Sequence, residues 1–281
     1  MTVDTNFSGV TTTVTMPIPS NLTNGEMDSV FVYSTDCLGA NGQIREGYVT
    51  ATEDGQKGFT FETDKVETFM LFYVPSAKET KYSAYVQGYQ DGSFKPNAPV
   101  TRTHIALMMS RFLTNWEIPE AVATFDDTKN SPSKDAIEYV KKEGLFNGVT
   151  ATEFDPDGSI TRAQMAGVVT RWIDRECAKD ATKRYCEATE QERTFTDVSA
   201  THWAAEAIAR VSSLNIMIGN SETTFNPQED LTRAQAVKIL NRLFERPALE
   251  AITKSKFNDV AASHWAIGEI EAAATKQVIQ E

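Results

Sequence analysis

The stretch "GYQDGSFKPNAPVTR", residues 88–102, decides how the rest of the chain is read. Thr101 reads as the start of a helix, and Arg102 sits one step inside it. Helix amide ends carry roughly half a positive charge, so a cation in the first turn costs a few tenths to about 1 kcal/mol. One arginine so placed could be incidental. Two further segments, "GVTATEFDPDGSITR" (148–162) and "GNSETTFNPQEDLTR" (219–233), align with the first without gaps. Each reads Gly, five residues, Phe, any residue, Pro, three residues, an aliphatic, then Thr-Arg. Gly88, Gly148 and Gly219 coincide, as do Phe94, Phe154 and Phe225, then Pro96, Pro156 and Pro227, then Arg102, Arg162 and Arg233. The awkward arginine is a property of an internal repeat.

An amphipathic helix follows each arginine. Ile105, Met108, Met109, Phe112 and Leu113 form one apolar stripe. Met165, Val168, Val169, Trp172 and Ile173 repeat it, as do Ala236, Ile239, Leu240, Leu243 and Phe244. The "TRAQ" starts at 161–164 and 232–235 read as capping boxes, with Thr serving the N3 amide and Gln reaching back. In "TRTH" His104 replaces the Gln, which predicts a weaker cap. A Phe-x-Asp segment leading into a second helix precedes the later glycines, at 125–148 and 195–219, and a further copy begins at Phe257. The first glycine loop has no such segment ahead of it. The two ends of the repeat region are therefore complementary halves. The C-terminal helix is expected to pack beside residues 82–113 and close three units around an axis, since one unit buries too little alone.

Residues 1–75 have a different texture. The runs "TTTVTM", "SVFVYS", "REGYVTA", "GFTFET" and "TFMLFYV" alternate between turn-forming stretches and predict five short strands in a small antiparallel sandwich or meander. A hydrophobic content of 41% with 23% charged residues is that of a soluble globular protein. The formal charge of −12 disfavours nucleic acid and anionic lipid as partners, and no run of eighteen apolar residues predicts membrane insertion. The N-terminus lacks the pattern of a signal peptide and reads as a cut inside a longer protein. Cys177 and Cys186, nine apart in a polar stretch, are either a local disulfide or two free thiols, and Cys37 reads as a small apolar filler.

The glycine loops, the "TRAQ" helix starts and the "F-x-D-V…HWA…I" pattern at 195–208 and 257–270 resemble the S-layer homology (SLH) family across about residues 79–281. The resemblance implies a mainly α, pseudo-threefold trimer of modules: a central three-helix bundle with three prongs, here preceded by a small all-β domain. It sets a β-sandwich-like domain at 1–76 and three modules within 77–281, at about 79–120, 121–180 and 193–250, with 251–281 completing the first prong. It further implies an extracellular protein of the bacterial cell surface, held non-covalently to the wall. The implied ligand is a secondary cell-wall polysaccharide bearing pyruvate ketals or, in some lineages, peptidoglycan. No cofactor or metal is implied.

A pyruvate ketal carries a permanent carboxylate, and the planar fork of an arginine suits it at about 1.5–3 kcal/mol per charge-assisted pair. A helix N-terminus offers amides and a favourable dipole to the same anion. Arg102, Arg162 and Arg233 are therefore the expected glycan-binding residues, against the reading that they pair with Asp157, Glu229 or Asp230. Arg111, Arg171 and Arg242 recur nine residues later, facing roughly the opposite side, and read as structural. Tyr89, Asp91 and Gly92 occur only in the first loop, so one strong site is expected around Arg102 and the C-terminal helix. Trp203 and Trp265 read either as faces for a sugar ring or as core of their prongs.

Other function classes have less support. The three histidines include two at equivalent repeat positions, and no His-x-x-x-His pair, serine elbow or phosphate loop is present, so the chain is not expected to be an enzyme. The alternatives are a lattice-forming S-layer subunit that self-associates, or the peptidoglycan-binding anchor of an exoenzyme whose catalytic domain lies elsewhere.

Overall fold

A computed structural model describes residues 11–18, 30–35, 42–51, 56–64, 67–73, 79–186 and 193–280. The reading of Cys37 falls outside them. The chain divides into two compact units, Met1–Thr80 with Ile279–Glu281, and Lys81–Val278.

In the first unit β1 (Thr12–Pro17), β5 (Lys57–Thr63) and β4 (Gly47–Ala51) form one antiparallel sheet in that order. A second contains β3 (Gln43–Arg45), β2 (Val30–Thr35) and β6 (Thr68–Tyr73). Period-two alternation turns Val14, Val30, Val32, Phe59, Phe61 and Phe69 into one shared core. Phe61 of one sheet meets Phe69 of the other with ring centroids 4.9 Å apart. The strand β3, three residues long, is one that alternation did not reveal.

The second unit is helical. The Thr-Arg helices are α1 (Arg102–Thr114), α3 (Arg162–Lys179) and α5 (Arg233–Leu243). The Phe-x-Asp helices are α2 (Lys134–Lys142), α4 (Ala205–Ser213) and α6 (Ile267–Ala274). Beyond α6 the chain turns to strand β8 (Gln277–Gln280), which pairs with β7 (Glu79–Tyr82). Among the described residues no helix is long and apolar enough to cross a membrane.

All three capping boxes form. Thr161 N and Thr232 N donate to Gln164 Oε1 at 3.0 Å and Gln235 Oε1 at 2.9 Å, and Thr101 N donates to His104 Nδ1 at 3.3 Å. The imidazole keeps the motif with a longer bond.

The repeated Phe-x-Asp and Gly-x5-Phe-x-Pro patterns explain one another. Asp127, Asp197 and Asp259 each accept two consecutive loop amides, those of Phe154 and Asp155, Phe225 and Asn226, and Phe94 and Lys95. The second residue of each pair has positive φ: 60° at Asp155, 58° at Asn226 and 58° at Lys95. The paired acceptors hold that left-handed turn in non-glycine residues. The glycine that opens each loop lies under the Phe of the same Phe-x-Asp. A Cβ on Gly148 or Gly219 would stand 2.6 Å from Phe125 or Phe195, and one on Gly88 would stand 2.5 Å from Phe257.

The third of these pairings joins the ends of the repeat region. Phe257 packs with its ring tilted against Phe94, centroids 5.3 Å apart, and Tyr85 N donates to Ala273 O at 2.9 Å. The C-terminal segment thus meets the first glycine loop as expected. Its helix, however, packs chiefly on α5 and not on α1, because each Thr-Arg helix packs against the Phe-x-Asp helix that follows it.

Backbone bonds then run from copy to copy in a closed cycle. Val100 N donates to Leu231 O, Leu231 N to Ile160 O, and Ile160 N to Val100 O, at 2.8, 3.0 and 3.1 Å. Phe112, Trp172 and Phe244, one from each Thr-Arg helix, meet in an aromatic cluster with centroids 3.7–5.9 Å apart. Asp197→Ala should leave two loop amides without an acceptor and lower stability by about 1–2 kcal/mol in urea titration, with Asp197→Asn less damaging.

Candidate functional site

Each Thr-Arg arginine leaves its own helix and enters the glycine loop of the next copy in the cycle. Arg102 donates from Nε to Phe154 O at 2.6 Å and from Nη2 to Asn147 O at 2.7 Å. Arg162 repeats this on Phe225 O and Ile218 O, both at 2.7 Å, and Arg233 on Phe94 O at 2.8 Å and Gln87 O at 3.3 Å. The guanidinium carbons stand 4.5–4.8 Å from the rings of Phe154, Phe225 and Phe94. Carbonyl dipoles and ring faces supply the negative potential that the helix amides withhold. The arginines are buried, and burial lowers the pKa of all three.

This removes the ion-pair reading and corrects the expectation of an open helix N-terminus. Among the described residues the three guanidiniums form no ion pair with Asp157, Glu229 or Asp230. The helix amides are also not open to an anion. The N1 amides of Arg102, Arg162 and Arg233 donate to Gly158 O, Glu229 O and Ala98 O at 2.9–3.0 Å. The N2 amides donate to Pro156 O, Pro227 O and Pro96 O, and the N3 amides to the capping threonines.

Arg233 and Arg162 each line a groove, and Arg102 lines neither. One, of about 140 Å³, is lined by Gln87, Gly88, Tyr89, His104, Arg111 and Arg233. The other, of about 180 Å³, is lined by Arg162, Gly219, Asn220, Lys238, Arg242 and Trp265. Arg111 and Arg242 therefore share grooves with Arg233 and Arg162. Their helical phase did predict the opposite side of their own helices, but the arginine they meet arrives from the preceding copy. Arg111 and Arg233 are close enough for each charge to disfavour the other, as are Arg171 and Arg102. Arg171 also holds Leu145 O at 2.8 Å, and Arg242 holds Asn215 O at 3.1 Å, so both retain a structural role.

The first loop joins Arg233, not Arg102. Tyr89 lies with its ring 5.0 Å from the Arg233 guanidinium carbon and 4.1 Å from Lys95 Nζ. Arg102 is committed to the second loop. Asp91 and Gly92 shape the first loop instead of lining the groove. The Asp91 carboxylate accepts from Ser93 Oγ at 2.6 Å and Ser93 N at 2.9 Å, which lowers its pKa. Gly92 has φ of 79° and its carbonyl accepts from Asn258 N. Trp203 and Trp265 are 66% and 56% exposed, which removes the core reading. Trp265 faces Lys238, whose Nζ lies 5.3 Å from its ring. Lys238 was missed because its repeat equivalents are Leu107 and Gly167, so periodicity carries no signal for it. Cys177 and Cys186 form a disulfide with Cα atoms 5.5 Å apart.

The sequence profile of the S-layer homology domain matches residues 73–106, 124–166, 194–237 and 256–281, more than half of the chain, and the chain belongs to that family. It is 32% identical over 200 residues to cell surface glycoprotein 1 of Acetivibrio thermocellus, covering 70% of this chain and 9% of that one. It is 30% identical over 194 residues to the cellulosome-anchoring protein of the same organism, covering 68% and 42%. An endoglucanase of a Bacillus species is 27% identical over 197 residues, covering 70% and 20%. The chain thus spans less than half the length of each of these relatives.

His104 links the cap to the groove. Burial, with Arg233 and Arg111 nearby and only Asp157 opposing, lowers its pKa from 6.5 to about 4. The unfolded chain therefore takes up this proton first as pH falls. Stability should be unaffected by His104 above about pH 6.5 and decline between there and about pH 4. His104→Gln should keep the cap and lose less stability than wild type between pH 7 and 5 in urea titrations.

Proposed function

We propose that this chain is a wall-anchoring segment of a bacterial surface protein, and that its grooves bind an acidic secondary cell-wall polysaccharide through pyruvate-ketal carboxylates. The reading rests on one observation: arginines from two neighbouring copies line each described groove with no carboxylate paired to them among the described residues, in a protein of charge −12. A carboxylate entering there meets Arg233 with Arg111, or Arg162 with Arg242 and Lys238. The Nη1 of each Thr-Arg arginine has no hydrogen-bond partner among the described residues and is the donor left for a ligand. Tyr89 in one groove and Trp265 in the other offer ring faces of the kind that pack on sugars. The ring of backbone bonds supports a pseudo-threefold body of three SLH modules, with the central helices α1, α3 and α5 and three prongs, in which each of the two described grooves needs two modules.

The names of the relatives support an extracellular, surface-attached setting, and the endoglucanase supports attachment of an enzyme whose catalytic part lies outside the matched segment. Affinity per groove is modest in this reading, and several grooves together provide firm attachment.

Arg→Ala at 102, 162 or 233 removes bonds that hold the ring, so lost binding there would be ambiguous. Trp265→Ala and Lys238→Ala avoid this. Each should weaken binding to purified pyruvylated wall polysaccharide roughly tenfold with unchanged unfolding midpoint. Chemical removal of pyruvate should abolish retention on wall sacculi. Full retention by depyruvylated sacculi or bare peptidoglycan would sink the ketal reading and favour peptidoglycan as ligand.

A further inference from the structure

The Arg162 groove does not end at Arg242. Ile216 and Arg242 also line a second cavity, of about 560 Å³, within the range of ligand-sized sites. Arg184, Glu245 and Arg246 complete its charged lining. We infer that this cavity is a second anion subsite, which takes the next acidic residue of a polysaccharide whose first acidic residue sits at Arg162; the inference rests on the proposed function.

Charge supports it. Three arginines and one glutamate line the cavity. That carboxylate, Glu245, meets Arg184 at 3.8 Å with side chains 46% and 82% exposed, a contact too loose and wet to neutralise either group. Arg246 is 3% exposed, donates to Ser83 O at 2.8 Å and to Thr275 O, and keeps a buried Nε with no partner.

The repeat contains its own control. Arg175 stands thirteen residues after Arg162, as Arg246 stands after Arg233. Arg175 is clamped by Glu143 and Glu176, whereas Arg246 forms no ion pair among the described residues. In the second copy two carboxylates neutralise this position. At Arg246 they are missing.

Arg184 comes from the stretch that makes the second repeat interval longer than the first, 71 residues against 60. The Cys177–Cys186 disulfide ties that stretch to the end of α3, and Tyr185 is buried beside it. Residues 180–186 are thereby tied to α3, with Arg184 at the cavity rim. An anionic chain passing Arg242 meets Arg184 next.

The test uses the whole chain and wall-derived tetrasaccharides carrying two pyruvate ketals, or one after selective removal, followed by NMR at the Gly219 amide so that this groove alone is read. Wild type should bind the two-ketal probe roughly tenfold more tightly than the one-ketal probe. Arg184→Ala should erase that difference and leave one-ketal binding unchanged. The Cys177→Ser/Cys186→Ser double variant should reduce it. Equal binding of both probes by wild type, or an undiminished preference in Arg184→Ala, overturns the second subsite and leaves the groove reading standing. Failure of wild type to bind either probe overturns both.

Discussion

The fold of the helical unit depends on a guanidinium that crosses from one repeat to the next. A cation in the first turn of a helix is opposed by that helix, so Arg102, Arg162 and Arg233 must find compensation elsewhere. They find it in two carbonyls and a phenylalanine ring of the neighbouring glycine loop. The N1 and N2 amides of the same turns bond the same loops. Each loop in turn is built by an aspartate from its own Phe-x-Asp segment. Loop, helix start and neighbouring copy are therefore ordered together or not at all, which makes the ring the cooperative unit and not the single repeat.

This closure also explains where the described grooves lie. Two arginines nine residues apart on one helix face opposite ways and cannot share a ligand. Rotating to the next copy brings the first arginine of one helix beside the second arginine of another, as Arg233 meets Arg111 and Arg162 meets Arg242. The groove is a property of adjacent copies. A repeat expressed alone would present neither its full charge nor its walls.

Much of this was legible in the sequence because it repeats. The Thr-Arg starts, the capping boxes, the apolar stripes and the complementary ends all follow from aligning the chain with itself. What was misread depends on which copy touches which. Alignment places Arg102 and "GYQDG" in one segment, so they were expected in one site, but the ring hands Tyr89 to Arg233. The same limitation set α6 against α1 instead of α5. The aspartate of Phe-x-Asp was visible as a recurrence without a role, since its partners lie 28 residues or more away in three of the bonds that reveal it. The two tryptophans could be read as core or surface because a turn at the head of a short helix carries no periodicity to orient them.

The copies differ in the residues that line the described grooves. Each described groove has one aromatic wall, but from different elements: Tyr89 from the glycine loop in one, Trp265 from the turn before α6 in the other. Where the 125–148 segment has "SKDA", the tryptophan of the other copies is missing. Three-fold likeness is required by the buried arginines, the aspartates and the Phe–Gly contacts, because each closes one third of a ring. No such requirement acts on residues that face only the groove. Tyr89, Lys238 and Trp265 are free to differ, so identical frames can carry sites of unequal shape and charge along one chain.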